Sequence, residues 1–293
     1  MNPLIAAWLC WAIIGLSPIV GHFAAAMIHP VLLVFLGTLL ACAYFAPWLS
    51  KNAQWRRLLA KENRLPFLFI GTFGTALSFS ILLWALHYTT PANAAILQQS
   101  ELVYSLLISF LFLKENPSKY QITASFLVLA GSVLILTKDQ YSARWIGDLM
   151  IIGSTWMLQT ASCVAKKLSA RANHRLIAAA RNFYALPALL IFVIFASVRG
   201  DLYFRFNWSS AGIIFYTGIF KYVLAMLLWY YAIHKLDLAK VTAIYLSYPV
   251  LSFVLSVILG LESPHLYQFL GLALTLAGAY WISIILRKQQ EPL

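Results

Sequence analysis

The chain has 293 residues, of which 62% are hydrophobic and only 10% charged, and its formal net charge is +12. A soluble domain carries about 25% charged residues, so a water-soluble globule, a disordered chain and a disulfide-stapled secreted module are excluded. The apolar runs are too long for barrel strands, which leaves an all-α integral membrane protein.

Taken in chain order, ten runs reach spanning length: 4–26, 30–49, 65–87, 92–113, 119–137, 146–166, 175–198, 209–232, 240–260 and 265–286. No Lys or Arg precedes the first run, so it reads as a retained span rather than a cleaved signal. Cys10, Cys42 and Cys163 all fall inside apolar runs, without CxxC spacing, and read as small packing residues. The connections are short, and no GxxxxGK[ST] motif is present, so no ATPase module is expected. No cofactor or metal is implied.

The basic residues divide unevenly between the two sets of connections. Those after spans 2, 4, 6 and 8, together with the segment after span 10, hold 15 Lys and Arg, including Lys51, Arg56, Arg57, Lys114, Lys166, Lys167, Lys240 and Arg287. The opposite connections hold 4, namely Lys138, Arg144, Arg199 and Arg205. Positive residues favour the cytoplasm, which predicts both termini cytoplasmic and an even number of spans in a cytoplasmic (inner) membrane. The positive charge is thus a topology signal, and nucleic acid is not an expected partner. Two basic residues remain inside spans. Arg181, near one end of span 7, is expected to snorkel; Lys221, near the middle of span 8, cannot easily do so.

An internal repeat is visible. Residues 115–131 read ENPSKYQITASFLVLAG, and residues 262–278, shifted by 147, read ESPHLYQFLGLALTLAG. The pairs Glu115/Glu262, Pro117/Pro264, Tyr120/Tyr267 and Gln121/Gln268 are in register, as are Leu129-Ala130-Gly131 and Leu276-Ala277-Gly278. Trp11 and Ser17 also echo Trp156 and Ser162 at a shift of 145. The chain reads as two five-span units, 1–138 and 145–288. Because five is odd, the second copy enters the membrane from the opposite side, giving inverted repeats with a site expected near the midplane.

On these residues the chain resembles the EamA-type members of the drug/metabolite transporter superfamily: each half has a Glu at the end of its fourth span and a fifth span carrying Leu-Ala-Gly. Lys114 stands where a Gly often precedes the first Glu; Leu261 holds that place in the second half, with Gly260 one further back. The resemblance implies ATP-independent efflux or exchange of small metabolites, often amino acids.

Glu101, near the centre of span 4, is the sharpest candidate for the work, because an ionisable group there costs about 2.5–3.5 kcal/mol on insertion scales. Gln98 and Ser105 share its helix face at i−3 and i+4. The repeat maps that face onto Tyr245, Tyr248 and Ser252 in span 9, so two polar faces are placed to meet across one cavity. Lys221 is the counter-charge: it either neutralises Glu101 or holds the carboxylate of a zwitterion whose amine goes to Glu101. Glu101 is also the candidate coupling group for protons. Trp11 and Trp156 are added as cavity walls because the repeat pairs them. Pro18 and Pro249 should kink spans 1 and 9, Gln159 and Asn182 should face protein, and Gly131, Gly271 and Gly278 should allow close helix contact.

The expected function is therefore secondary transport by alternating access, with export of an amino acid or related zwitterion as the first reading. A nucleoside-like or drug-like cation, or exchange of metabolites, is the alternative. An integral membrane enzyme would need clustered acids or a His/Asp pair, and a channel would need rings of like charge; neither pattern is visible. The expected partners are a small-molecule substrate, the lipid bilayer and protons, with the chain acting as a monomer.

Overall fold

A computed structural model describes residues 1–51, 53–85, 88, 97–136, 145–261 and 265–290. Among these residues the regular structure is helical, apart from an isolated antiparallel bridge between Ile28 and Phe204. In chain order the long helices are α1 Pro3–Ala25, α2 Pro30–Lys51, α3 Lys61–Leu82, α4 Ser100–Leu113, α5 Lys119–Leu136, α6 Trp145–Lys167, α7 His174–Val198, α8 Trp208–Lys235, α9 Leu238–Ile258 and α10 Leu266–Gln290. Seven of them (α1, α2, α3, α7, α8, α9 and α10) are long and apolar enough to cross a membrane. The expectation of ten such spans is met only to that extent. α4 and α5 are shorter apolar helices, and 92–96, the expected start of span 4, lie outside the described residues. α6 has the length, at 23 residues, but its apolar character is diluted by Asp148, Gln159, Lys166 and Lys167.

Several helices are irregular, and the irregularities have causes. α1 breaks at Leu16, between Pro3–Gly15 and Ser17–Ala25, because Pro18 removes a donor from the ladder. The carbonyls freed there are taken by side chains: Ser252 Oγ donates to Gly15 O at 2.6 Å and Tyr216 Oη to Ile13 O at 2.5 Å. α9 is likewise interrupted between Tyr245 and Pro249. Both expected proline breaks are present, and they face each other through the Ser252–Gly15 bond.

π-helical stretches occupy Phe69–Leu77 in α3 and Tyr216–Ala225 in α8. Their starts are separated by the same 147 positions as the sequence repeat. Packing echoes this offset. Gly71 of α3 lies against Tyr184 of α7, while Gly218, its repeat equivalent in α8, lies against Leu40 of α2. α5 and α10 pack most intimately. A Cβ on Gly131 would sit 2.6 Å from Gly271 O, and one on Gly278 would sit 2.7 Å from Ala124 O. Later positions of α5 thus meet earlier positions of α10, so these sequence-equivalent helices run antiparallel.

The two ends of the bundle are tied differently. At one end the loop after α1 pairs with the loop after α7, through His29 N to Tyr203 O at 2.9 Å and Arg205 N to Met27 O at 2.8 Å. At the other end lie Lys51, Lys114, Lys166, Lys240 and Arg287, which we call the basic face.

Candidate functional site

Glu101 lies in the first turn of α4 rather than near the centre of a helix as expected, about 18 Å along it from Leu113 at 1.5 Å per residue. It is half-buried. Gln159 on α6 donates to its carboxylate through Nε2 at 2.6 Å, and Ser100 Oγ lies 3.0 Å from Thr155 Oγ1 one turn away. Gln159 is fully buried, as expected for a polar group that faces protein. A hydrogen bond to a charged group contributes about 1.5–3 kcal/mol, so Gln159 fixes the carboxylate's position and offsets part of its burial.

Tyr245 and Tyr248 stand within reach of the Glu101 charge. They form an aromatic wall with Trp229: ring centroids are 5.1 Å apart for Trp229–Tyr245 and 6.1 Å for Tyr245–Tyr248. Both tyrosines are half-buried and flank the interruption of α9. Gln98 is half-buried and precedes the start of α4.

Lys221 lies in the π-helical stretch of α8. Its ammonium sits over the rings of Phe79 and Tyr222, 5.8 and 5.9 Å from their centroids. It forms no ion pair with Glu101, so of the two readings for this pair, direct neutralisation is not the arrangement observed. The group that reaches both is Arg181, whose charge acts on Glu101, on Lys221 and on Tyr245.

Arg181 corrects an expectation. It does not snorkel; it is 8% exposed and its donors turn inward. Nε donates to Thr75 Oγ1 at 2.6 Å, Nη2 to Gly74 O at 3.0 Å and Nη1 to Tyr230 Oη at 3.2 Å. The π-helical stretch of α3 supplies both Gly74 and Thr75. Sequence reasoning missed this residue because seven positions from a helix start looks close enough to water for a long side chain. The available signal was its neighbour Asn182, also buried, which donates to Ala178 O at 2.8 Å.

The remaining expected site residues divide. Ser105 is fully buried and donates to Leu102 O at 2.8 Å, so its hydroxyl proton serves its own helix. Ser252 is spent on the break in α1. Trp11 packs edge-on to Trp8 at 5.3 Å, and its Nε1 is buried without a partner. Trp156 stands apart: it is 46% exposed, edge-on to Phe73, and helps line an outer groove of about 470 Å³ with Leu149 and Gly153.

A second constellation closes the basic face. Glu115 pairs with Lys166 Nζ at 2.5 Å and accepts from the Leu238 backbone N–H at 2.9 Å, capping α9. Lys166 also donates to Leu236 O, and Asp237 pairs with Lys240. The carboxylate thus ties the ends of α4 and α6 to the start of α9. Its repeat equivalent, Glu262, lies outside the described residues, as do Pro264, Lys138 and Arg144.

A family model described as the EamA-like transporter family matches residues 2–137 and again 145–284. The chain belongs to this family. Among its relatives, an uncharacterized transporter of Archaeoglobus fulgidus is 28% identical over 262 residues, covering 86% of this chain and 87% of that protein. The uncharacterized transporter YetK of Bacillus subtilis is 26% identical over 303 residues, covering 99% of this chain and 89% of that protein. A solved crystal structure superposes with a TM-score of 0.77 at 18% identity, covering 99% of this chain and 98% of that one, a likeness of fold. Membership in a transporter family agrees with a multi-pass membrane protein and with the expectation that the chain is not an enzyme. Among the described residues no group of His, Cys, Asp or Glu is arranged to hold a metal.

Proposed function

We propose that this EamA-like protein is a secondary transporter that moves a small zwitterionic metabolite, an amino acid or a close relative, by alternating access around Glu101. The observation that carries the reading is the half-buried carboxylate, oriented by Gln159 and faced by Tyr245 and Tyr248. The antiparallel contact of α5 with α10, the matched π-helical stretches and the matched glycine contacts support two inverted five-helix repeats. Inverted halves exchange roles, so inward-open and outward-open shapes are of similar energy.

The charge bias supports a cytoplasmic basic face with both termini on that side. The Glu115–Lys166 tie then seals the cytoplasmic end, and export begins when it opens. Glu101 receives the substrate amine or a proton in alternation, which couples the two without ATP. The test is purified protein in liposomes, offered pooled metabolites with and without a pH gradient. Proton-driven uphill flux of an amino acid in the wild type, lost in a folded Glu101→Gln variant, is the expected result. Full flux by Glu101→Gln overturns the role of the carboxylate.

A further inference from the structure

Within the bundle the charge of Arg181 reaches both Glu101 and Lys221, and the three charges do not balance. Arg181 and Lys221 are cationic and Glu101 is anionic, so the formal charge of the cluster is +1. Among the described residues Glu115 pairs with Lys166, Asp237 with Lys240 and Asp201 with Arg199, Glu62 lies at the surface, Asp148 is buried at the start of α6, and Glu101 accepts from Gln159. None pairs with Arg181 or Lys221. Like charges held together out of water repel, and removing them from water is itself costly. A fold that keeps two cations here without an acid in contact leaves a place for an anion.

The donors are available. Arginine carries five N–H groups, and three of those of Arg181 are used, on Thr75, Gly74 and Tyr230. Lys221 carries three, and its neighbours are the faces of Phe79 and Tyr222, which attract the cation but accept no conventional hydrogen bond. Lys221 is half-buried, whereas Arg181 is almost enclosed. Lys221 is the less enclosed of the two cations, and Arg181 is a fixed positive charge within reach of it. The π-helical stretches that place Lys221 and that supply the Gly74 and Thr75 acceptors are local departures from α-geometry of the kind frequent at functional sites.

We propose that Lys221, backed by Arg181, is a carboxylate-binding site, and that the substrate is an aromatic or otherwise apolar carboxylate rather than a plain cation. The inference rests on the transporter reading above and narrows it, because it makes the anionic group of the cargo obligatory and the amine secondary. The rings of Phe79 and Tyr222 supply the apolar surround.

The test uses the full-length protein in detergent and three matched probes: 3-phenylpropionate, L-phenylalanine and phenethylamine. Thermal stability is followed against probe concentration. The wild type is expected to be stabilised by the two carboxylates and not by the amine. Lys221→Gln should weaken the half-saturating concentration for both carboxylates by tenfold or more, and Lys221→Arg should retain it. Equal stabilisation by phenethylamine, undiminished carboxylate binding in Lys221→Gln, or no shift with any probe overturns the site. Should Lys221→Gln not fold, the preference of the wild type among the three probes decides alone. Failure here leaves saturable flux in liposomes untouched, whereas absence of flux with an intact carboxylate response would overturn the transporter reading alone.

Discussion

Lys114 holds φ 56° and ψ 28°, the left-handed region, at the end of α4. A side chain there costs roughly 1–2 kcal/mol that glycine does not incur, which gives a physical reason for a glycine before this acid. Lys114→Gly should therefore raise the melting temperature, a stabilisation of about 1 kcal/mol, with the Glu115 tie intact; a drop would mean that the lysine side chain contributes a contact of its own. Gln159 makes a different prediction. Its amide is the hydrogen-bond partner observed for Glu101, at 2.6 Å. Gln159→Leu removes that donor and leaves the carboxylate without it in the bundle, costing about 1–3 kcal/mol in denaturation measurements. Gln159→Glu places two acids side by side and should cost more. Equal stability of both variants with the wild type would show that the carboxylate is held by something else.

At the scale of elements, the ties between helices carry the predictions. Glu115 joins α4, α6 and α9. Buried Cys163 lies close enough to Glu115, Lys166 and Lys167 to feel their charges, so it reports on this region. In a variant lacking Cys10 and Cys42, Glu115→Gln should raise the rate of Cys163 labelling by a water-soluble maleimide by about tenfold, the equivalent of one charge-assisted bond. An unchanged rate would show that the face is closed by packing alone. The seam between α5 and α10 allows no such adjustment. A methyl at Gly278 would fall 2.7 Å from Ala124 O and 2.8 Å from Val128 Cγ2. Gly278→Ala should destabilise the protein by about 1–3 kcal/mol in thermal unfolding. Much of this was legible in the sequence. The repeated Leu-Ala-Gly marked the seam, and Pro18 and Pro249 marked the breaks. The π-helical stretches were not legible, since Phe69–Leu77 and Tyr216–Ala225 read as ordinary apolar helix. The Glu115 tie was hidden for another reason: lysines at a span end resemble solvated topology signals, and only folding brings Lys166 onto the acid. The repeat match of Trp11 with Trp156 fixes position along a helix and not burial, and Trp156 is 46% exposed.

For the molecule as a whole, the sequence repeat relates residues that the fold brings near one another. Glu101 on α4 and Tyr248 on α9 are related by the repeat, and the structure brings them within electrostatic reach of each other. Arg181 and Lys221 have no such relation: their repeat equivalents are Val34 and Gly74, both uncharged. The sequence repeat thus relates the helices but not these charges, and in the proposed reading it is the asymmetric set that selects cargo. The central claim is that the bundle interior is reached by water from outside the bilayer. Its most direct measurement is labelling of Tyr248→Cys, in a background lacking Cys10, Cys42 and Cys163, by a charged, membrane-impermeant maleimide in sealed vesicles of known orientation. The account predicts labelling from one aqueous side, with the accessible side shifting when Glu115→Gln is added. Reaction only with a lipid-soluble maleimide, and none from either aqueous phase, would contradict it.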